Sequence, residues 1–488
     1  MKRPFLKLFE SPFIVLLCLP AMVFAQNNTV SVSNESLRDL QRYQTQIEDM
    51  ESEYGPFDNR LLEPLASIID FYTDQGDFEE VAEIQIRQLS IMRTNLGFEN
   101  PELIPVIRRM IEVQQALGNW DAVSDNLEHI RFLVASNFGT QSEELLLAME
   151  NQAQWLLTNF YLGEQRRQSD NFLDARDLYR DTFRLSEKVY GEESEELYPW
   201  HYKRAYSLAL LVQLLNTEDN FSGRFFNDLL RADGSFRLEY GVRGAGVGGL
   251  YDALRTTPGG RRIPTIDRDA FGREPYLGEG YLRQGLGFIN DIRDIAEDQG
   301  DLEAEAIANI YRGDFNVLMN ASGRRQYREA QEKLVQAGIS QESIEFFFST
   351  PMPLPMPEFY SKFGDLVAYQ QSILSEAPDR SEESLHLGTF RAWHENARAV
   401  QKPVSSDPLL RIGLPQFQVD LSFNISSRGN VSGVDVVGSI PEDSRVTREG
   451  ARAVREIKFR PVYAGNRTRR IRDVQMRYLF AQEQGFLN

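Results

Sequence analysis

The stretch ARAVREIKFRPVY, residues 451–463, changes its pattern halfway along. Its first half, from Ala451 to Ile457, has the apolar spacing of one face of a helix. Its second half contains FRP at 459–461, and proline does not continue a helix. The stretch therefore predicts a corner at which a helix ends and a strand begins.

Residues on both sides of this corner follow the period of a strand. Apolar and polar residues alternate over 417–425, which indicates a strand with one buried face, and a second strand is predicted over 431–437. Asp443 or Ser444 is placed to cap the helix between the corner and these strands. The apolar residues of the predicted last strand are Val474, Met476, Tyr478 and Phe480. The order of elements is therefore β-β-α-β-β.

Three parts of this region resemble the C-terminal domain of TonB-type energy transducers. They are VDLSFNISSRGNVSGVDVV at 419–437, GARAVREIKFRPVYAGN at 450–466 and VQMRYLF at 474–480. The resemblance implies a periplasmic domain whose sheet edge takes up a strand from an outer-membrane transporter, with affinity supplied by backbone hydrogen bonds.

A second pattern is a repeat in the N-terminal half. Glycine follows an apolar or aromatic residue at Gly55, Gly97, Gly139 and Gly191, with spacings of 42, 42 and 52 residues. A turn marker precedes three of these glycines: Gly76-Asp77-Phe78, Gly118-Asn119-Trp120 and Asp170-Asn171-Phe172. Apolar residues between the markers have helical spacing, so each unit is predicted to be a pair of helices closed by a glycine cap.

Helix pairs repeating near 42 residues bury their apolar faces by stacking on one another. The repeat, over about residues 35–215, resembles the tetratricopeptide repeat in its longer form, like that of kinesin light chains. The resemblance implies an α-solenoid that presents a concave surface to a protein or peptide. The expected fold class is mainly α: a tetratricopeptide-like solenoid followed by a small α+β TonB C-terminal-like domain.

The predicted organisation has six parts. They are a signal peptide (1–25), helical repeats (26–220), a glycine-rich insertion (221–280), a second helical block (281–400), a linker (401–416) and the TonB-like domain (417–488). The proline-rich stretch STPMPLPMPEF at 349–359 is predicted to be a further extended linker.

The first 25 residues have the three parts of a secretory signal. Basic residues precede an apolar run, and Ala25 is the expected cleavage site, so we expect a periplasmic chain with no membrane span after cleavage. Cys18, the only cysteine, lies within this signal, so disulfides and thiolate chemistry are excluded from the rest of the chain. Removal of the signal's net charge of +2 changes the formal charge from −19 to −21, which argues against nucleic-acid binding.

The last part of the chain differs in charge. Residues 415–483 hold 12 basic and 8 acidic residues, a net of +4. The candidate partner-binding residues are Arg467, Arg469, Arg470 and Arg472, with Val474, Met476 and Tyr478 of the last strand. Two interpretations of the arginines stay open: docking onto an acidic protein surface, and a solvated hairpin whose charge protects a sheet edge.

Catalytic, cofactor and metal sites are not predicted. Gly244, Gly246 and Gly249 match a dinucleotide-binding spacing, but no flanking βαβ unit accompanies them. The four histidines, His129, His201, His386 and His394, show no metal-ligand spacing.

These patterns favour a periplasmic interaction scaffold or adaptor that binds a protein or peptide. The resemblance to TonB-type transducers implies that it is accessory to TonB-dependent transport, with an outer-membrane receptor or TonB-system component as the partner. Two alternatives remain. One is an energy transducer that keeps its N-terminal segment as an anchor, and the other is a periplasmic enzyme that uses the glycine-rich insertion.

Overall fold

A computed structural model of the chain describes residues 34–162, 168–216, 279–376, 385–392 and 416–481. The predicted cleavage site at Ala25, the predicted insertion up to residue 278 and the predicted linker up to residue 415 lie outside these ranges, as does His394. Among the described residues, no helix combines the length and apolarity needed to cross a bilayer.

Most of the described residues are helical. The helices are α1 (Asn34–Tyr54), α2 (Leu62–Gln75), α3 (Phe78–Leu96), α4 (Leu103–Ala116), α5 (Trp120–Phe138), α6 (Glu143–Leu162), α7 (Gln168–Tyr190), α8 (Tyr198–Asn216), α9 (Glu279–Gln299), α10 (Leu302–Leu318), α11 (Arg324–Gln336), α12 (Gln341–Ser349), α13 (Phe363–Ser375) and α14 (Ser444–Glu456). Short 3₁₀ turns precede α2 and α8, at Asn59–Leu61 and Glu195–Leu197.

The repeat glycines end helices as the sequence predicts. Gly55, Gly97, Gly139 and Gly191 have φ values from +90° to +94°, a conformation that residues with a Cβ rarely adopt. The third turn marker is a correction, because α7 begins at Gln168 and Asp170-Asn171-Phe172 lies inside its first turns. Helix α7 therefore begins before the marker and not after it.

The described chain divides into two compact units, with the boundary inside α3 between Ile84 and Gln85. In the first unit α1 packs on α2, whose apolar stripe of Leu65, Ile68 and Ile69 is buried. In the second unit consecutive helices from α4 to α8 pack on one another, and α8 continues onto α9 and α10 through further helix pairs.

The strands lie in the last third of the chain. They are β1 (Met352–Leu354), β2 (His386–Ala392), β3 (Gln416–Ile425), β4 (Val431–Ile440), β5 (Lys458–Arg460), β6 (Val462–Ala464), β7 (Arg467–Arg469) and β8 (Ile471–Ala481). The main sheet has the order β2-β8-β3-β4, with β3 antiparallel to both β4 and β8 and β2 parallel to β8. Pairs β1–β5 and β6–β7 form two small antiparallel sheets.

The corner of the opening stretch has the predicted form. Helix α14 ends at Glu456, and β5 and β6 follow on either side of Pro461. Asp443 caps α14, because its carboxylate accepts a hydrogen bond from the backbone N–H of Arg445 at 2.6 Å. Gly450 allows α14 to lie directly on the sheet, since a Cβ there would stand 2.8 Å from Cγ2 of Val419.

Two stretches differ from the prediction. The second helical block was expected to continue to residue 400, but His386–Ala392 is a strand that joins the main sheet beside β8. The proline-rich stretch was expected to be a linker, but residues 351–357 are buried and contain β1. In both cases, pairing with a strand that is distant in the sequence decides the conformation. The local sequence pattern does not indicate that pairing.

A buried ion pair joins the helices to the C-terminal strands. Arg460 of β5 donates from Nε to Oδ1 of Asp314 in α10 at 2.8 Å, and from Nη2 to Oδ2. The Tyr327 hydroxyl also donates to Asp314, at 2.9 Å, and the Phe347 ring lies 4.7 Å from the guanidinium carbon. Burial alone would lower the pKa of Arg460, but the Asp314 carboxylate outweighs burial and raises it.

The hydrophobic core is continuous across this junction. One cluster of buried side chains includes Phe172 and Tyr202 from the helices and Val419 and Phe480 from the sheet. The strand-rich C-terminal region therefore packs directly against the helices of the second unit.

Candidate protein-binding face

Residues 351–360, PMPLPMPEFY, form a non-helical segment that lies against helices and is extended at Met352–Leu354; we call them the docked segment. Alternating prolines remove backbone donors and prevent helix formation, so the segment must find its partners outside itself. Its large apolar side chains are buried: Met352, Leu354, Met356 and Phe359. The segment is therefore held in place by side chains from other elements.

Two tyrosines bind the backbone of the docked segment. The Tyr202 hydroxyl of α8 donates to the carbonyl of Met356 at 2.6 Å, and the Tyr311 hydroxyl of α10 donates to the carbonyl of Glu358 at 2.6 Å. Burial raises the pKa of both phenols well above 10, so each hydroxyl keeps the proton that it donates. These bonds satisfy carbonyls that have no strand partner.

Aromatic rings surround Phe359 of the docked segment. Its ring centroid lies 5.1 Å from that of Tyr311, 5.8 Å from Tyr198 and 6.1 Å from Tyr202. Such offset and tilted arrangements suit the quadrupoles of aromatic rings and bury a large apolar area. Tyrosines spaced four residues apart on α8 thus supply both an apolar surface and hydrogen-bond donors.

Charged groups lie at the edge of this contact. Lys203 of α8 forms an ion pair with Glu150 of α6, and its ammonium lies 4.3 Å from the centre of the Trp200 ring. Glu358 of the docked segment keeps more than a third of its surface exposed. Desolvation of its carboxyl nevertheless raises its pKa, and the Lys203 charge opposes that rise.

The docked segment also touches the C-terminal strands. Met352, Pro353 and Leu354 pair with Arg460, Phe459 and Lys458 in the β1–β5 ladder. One ten-residue segment therefore contacts α8, α10 and β5. Side chains of α8 and α10 thus hold this segment through its backbone carbonyls and its apolar side chains.

The predicted partner-binding arginines lie together on the surface. Arg467 and Arg469 belong to β7, Arg470 and Arg472 flank the start of β8, and all four are exposed. None of the four forms an ion pair with a described residue. Their place in a β6–β7 hairpin fits both interpretations given by the sequence.

The predicted partner-binding residues of the last strand lie in the core. Val474 and Met476 are 0% exposed and Tyr478 is 4% exposed. Strand β8 is paired with β3 on one side and with β2 on the other. Because both sides of β8 are occupied, addition of a partner strand at Met476 conflicts with the observed pairing.

The outer strands of the main sheet are β2 and β4. Strand β4 exposes Val437 and Ile440, at 64% and 62%, but its register against β3 shifts twice. Such bulges interrupt the regular row of backbone groups that an added strand would need. The β4 edge is therefore a poor template for strand addition.

Each of the three described histidines has a different set of neighbours. Arg93 contacts the ring of His129 at 3.1 Å, and Nδ1 of His386 accepts a hydrogen bond from the Gly388 N–H at 2.9 Å. His201 is buried, and burial, assisted by Arg204, lowers its pKa to about 4. Within the described ranges, no group of three or more His, Cys, Asp or Glu residues is arranged to hold a metal ion.

The tyrosine contact was not predicted from the sequence. Tyr198, Tyr202 and Tyr206 recur every four residues, which places them along one face of α8. That spacing, together with the alternation of proline and apolar residues in the docked segment, was the available signal. Neither pattern indicates that the two segments are in contact, because 154 residues separate Tyr202 from Met356.

Some solved structures have weak similarity to this chain. A kinesin light chain from Podosopora anserina with nearly identical TPR-like repeats aligns with a TM-score of 0.27 and 12% identity, over 42% of this chain and 89% of that one. A variant of the same kinesin light chain gives a TM-score of 0.27 and 11% identity, over 42% and 87%. BtubC from P. vanneervenii gives 0.22 and 11%, over 62% and 90%. No protein-family model and no curated protein matches the sequence.

Proposed function

We propose that this protein is an interaction scaffold whose helices bind extended segments of other proteins. The observation that carries this proposal is the docked segment, because α8 and α10 already hold a non-helical segment of this chain through Tyr202 and Tyr311. A surface that recognises backbone carbonyls and apolar side chains is suited to peptides in general, since every peptide offers the same carbonyls.

We further propose an envelope setting, in which the scaffold is accessory to a TonB-dependent transport system. The support is the resemblance of residues 419–437, 450–466 and 474–480 to the TonB C-terminal domain, together with the secretory pattern ending at Ala25. The adaptor role fits better than an energy-transducing role, because β2 covers the strand edge at which a transducer would take up a partner.

Site-directed photocrosslinking in the cells that make the protein tests the scaffold role. A photoreactive phenylalanine analogue replaces Leu147 of α6 in one variant and Phe132 of α5 in another. Both side chains are 49% exposed, so the two positions are matched for accessibility. We expect discrete protein adducts from position 147 and none from position 132, because Leu147 lies one helical turn before Glu150, whose ion pair with Lys203 stands at the edge of the docked segment.

Equal adducts from both positions, or none from position 147 in a variant with an unchanged melting temperature, would contradict the proposal. An N-terminal sequence read from the purified protein tests the envelope setting separately. A chain that begins at Gln26 is expected.

A further inference from the structure

The end of the main sheet at which β8 begins brings three parts of the chain together. Ile425, the last residue of β3, pairs with Ile471, the first residue of β8. The turn that joins β3 to β4, residues 426–430, therefore lies beside the start of β8. The β6–β7 hairpin is also close, because only Arg470 separates β7 from β8.

Five exposed arginines lie at this end of the sheet, and we call them the arginine cluster. They are Arg428 of the turn, Arg467 and Arg469 of β7, Arg470, and Arg472 of β8. None of the five forms an ion pair with a described residue. Asp473 supplies the single carboxylate of residues 426–430 and 467–473, so these stretches have a net charge of +4 in a chain whose formal charge is −19.

The backbone that carries the arginine cluster has a defined conformation. Gly465 and Asn466 have φ values of +58° and +59°, as a type I′ turn requires, so β6 and β7 form a tight hairpin. Asp473 has a φ of +56° where the register of β8 against β3 shifts, and such a bulge re-aims the side chains beside it. The Phe459 N–H donates to the Gly429 carbonyl at 2.9 Å and fixes the β3–β4 turn. Less entropy is therefore lost when this surface binds a ligand.

Protection of a sheet edge does not account for the whole cluster. Charges on β7 can block the addition of a strand to a short hairpin. Arg428, however, lies in a turn, and Arg470 lies between two strands. Like charges repel one another, so five guanidinium groups at one place are unfavourable until an anion neutralises them. The cluster therefore indicates an anionic partner.

The composition of this end favours lipid phosphates over an acidic protein. The core of a protein interface consists of apolar and aromatic side chains. Among the described residues, none of the large apolar side chains that are exposed belongs to residues 426–430 or 462–473. Guanidinium groups without an apolar neighbour are suited to phosphates, which arginine binds through two parallel hydrogen bonds. An anionic bilayer presents many phosphates on one surface, so several arginines can bind at once.

We propose that the arginine cluster binds the phosphate groups of an anionic lipid bilayer and holds this end of the sheet at the membrane surface. The attachment is electrostatic and reversible, so it weakens as the salt concentration rises. This inference is separate from the scaffold proposal, because it involves none of the residues of the docked segment.

Sedimentation with lipid vesicles tests this inference. The purified protein is mixed with vesicles of equal parts phosphatidylcholine and phosphatidylglycerol, and with vesicles of phosphatidylcholine alone. We expect binding to the first kind only, and we expect NaCl to release the protein because salt screens the headgroup charges. The variant with both Arg467→Glu and Arg469→Glu should bind at least about 30-fold more weakly, since two attractions to the anionic surface are lost.

The variant with both Arg108→Glu and Arg109→Glu is the matched control. Both arginines of α4 are exposed, and neither forms an ion pair with a described residue. This control changes the net charge as much as the β7 variant does, so it separates the position of the charges from their number. It should bind anionic vesicles as the unchanged protein does.

Arg428→Glu tests the cluster at a second element and should weaken binding at least about 5-fold. It keeps the test decisive if the β7 variant has a lower melting temperature than the unchanged protein. Normal binding by a folded Arg428→Glu variant would remove the β3–β4 turn from the surface and would contradict the cluster as defined.

Three further results would overturn the inference. They are no binding to the anionic vesicles, equal binding to vesicles of phosphatidylcholine alone, and an equal loss of binding in the α4 control. Poly-L-glutamate is the probe for the other class of partner. If Arg467 and Arg469 are needed to bind poly-L-glutamate and the anionic vesicles are not bound, the cluster serves an acidic protein. Each of these results leaves the crosslinks expected at position 147 as an independent test of the scaffold function.

Discussion

Helices α4 and α8 occupy the same place in the repeat but meet different surroundings. On α8, Tyr202 donates to the Met356 carbonyl and Tyr198 packs on Phe359, so this helix is closed by a segment of the same chain. On α4, the exposed residues Arg108 and Glu112 occupy the positions of Tyr202 and Tyr206, so this face is open. Equal positions of the repeat thus carry different side chains on the closed and the open helix.

The largest effect is expected from breaking the buried ion pair that supports the closed side. Asp314→Ala leaves the Arg460 guanidinium buried without its carboxylate, so we expect a loss of about 4 kcal/mol in the free energy of unfolding. Urea denaturation measures this loss. Arg325→Ala removes an exposed ion pair with Glu329 and should cost far less, because solvent screens that pair.

A cost for Asp314→Ala no larger than that of Arg325→Ala would show that the Asp314–Arg460 pair does not hold the C-terminal strands on the helices. In that case, the closed state of α8 would have to be maintained by the docked segment alone.

A lower pH should decrease the stability of the fold through His201 of the closed helix α8, whereas the open helix α4 contains no histidine. Burial lowers the pKa of His201 to about 4 from the usual 6.5. Between these values the unfolded chain binds more protons than the folded chain, so stability is present above pH 6.5 and declines as the pH falls toward 4. The loss is at most about 3 kcal/mol.

Thermal unfolding at a series of pH values measures this decline. His201→Gln removes the titrating group and should flatten the curve between pH 6.5 and 4, whereas Asp291, whose carboxylate lies 3.7 Å from the imidazole, remains in place. A curve of unchanged slope in His201→Gln would assign the acid sensitivity to other groups.

A smaller effect is expected from loosening the docked segment itself. Tyr202→Phe removes the donor to the Met356 carbonyl and leaves a buried acceptor unsatisfied, which costs about 1–2 kcal/mol. Tyr190→Phe is the matched control, because its hydroxyl bonds the exposed Glu143 carboxylate at 3.1 Å and its removal should cost less. If both substitutions lowered the free energy of unfolding equally in urea denaturation, the hydrogen bond to Met356 would not stabilise the packing of the docked segment on α8.

The sequence predicts the features that depend on neighbours along the chain. The glycine caps at Gly97, Gly139 and Gly191 and the cap at Asp443 need only local backbone conformation and a nearby donor, so their residue types identify them. The alternating strands around the corner at Pro461 are local in the same sense.

Features that depend on distant partners were missed. Arg460 looks like a surface residue of a strand until Asp314, 146 residues earlier, is seen beside it. The residues of strand β2 were expected to be helical. This expectation was wrong because their conformation depends on parallel pairing with β8, which the sequence pattern does not show. The docked segment was expected to be a linker for the same reason, and with it the closed half of the candidate site was missed.

The docked segment also sets an order of assembly for a chain that emerges N-terminus first, whether from the ribosome or during export. Tyr202 and Tyr311 emerge before residues 351–360, whereas Lys458–Arg460 emerge about 100 residues after that segment. Met356 and Phe359 can therefore pack against helices that have already formed, and β1 is then available to pair with β5. When β5 emerges, it pairs with β1, which is already held in place. Forming this pair therefore loses less conformational entropy than pairing two free strands would.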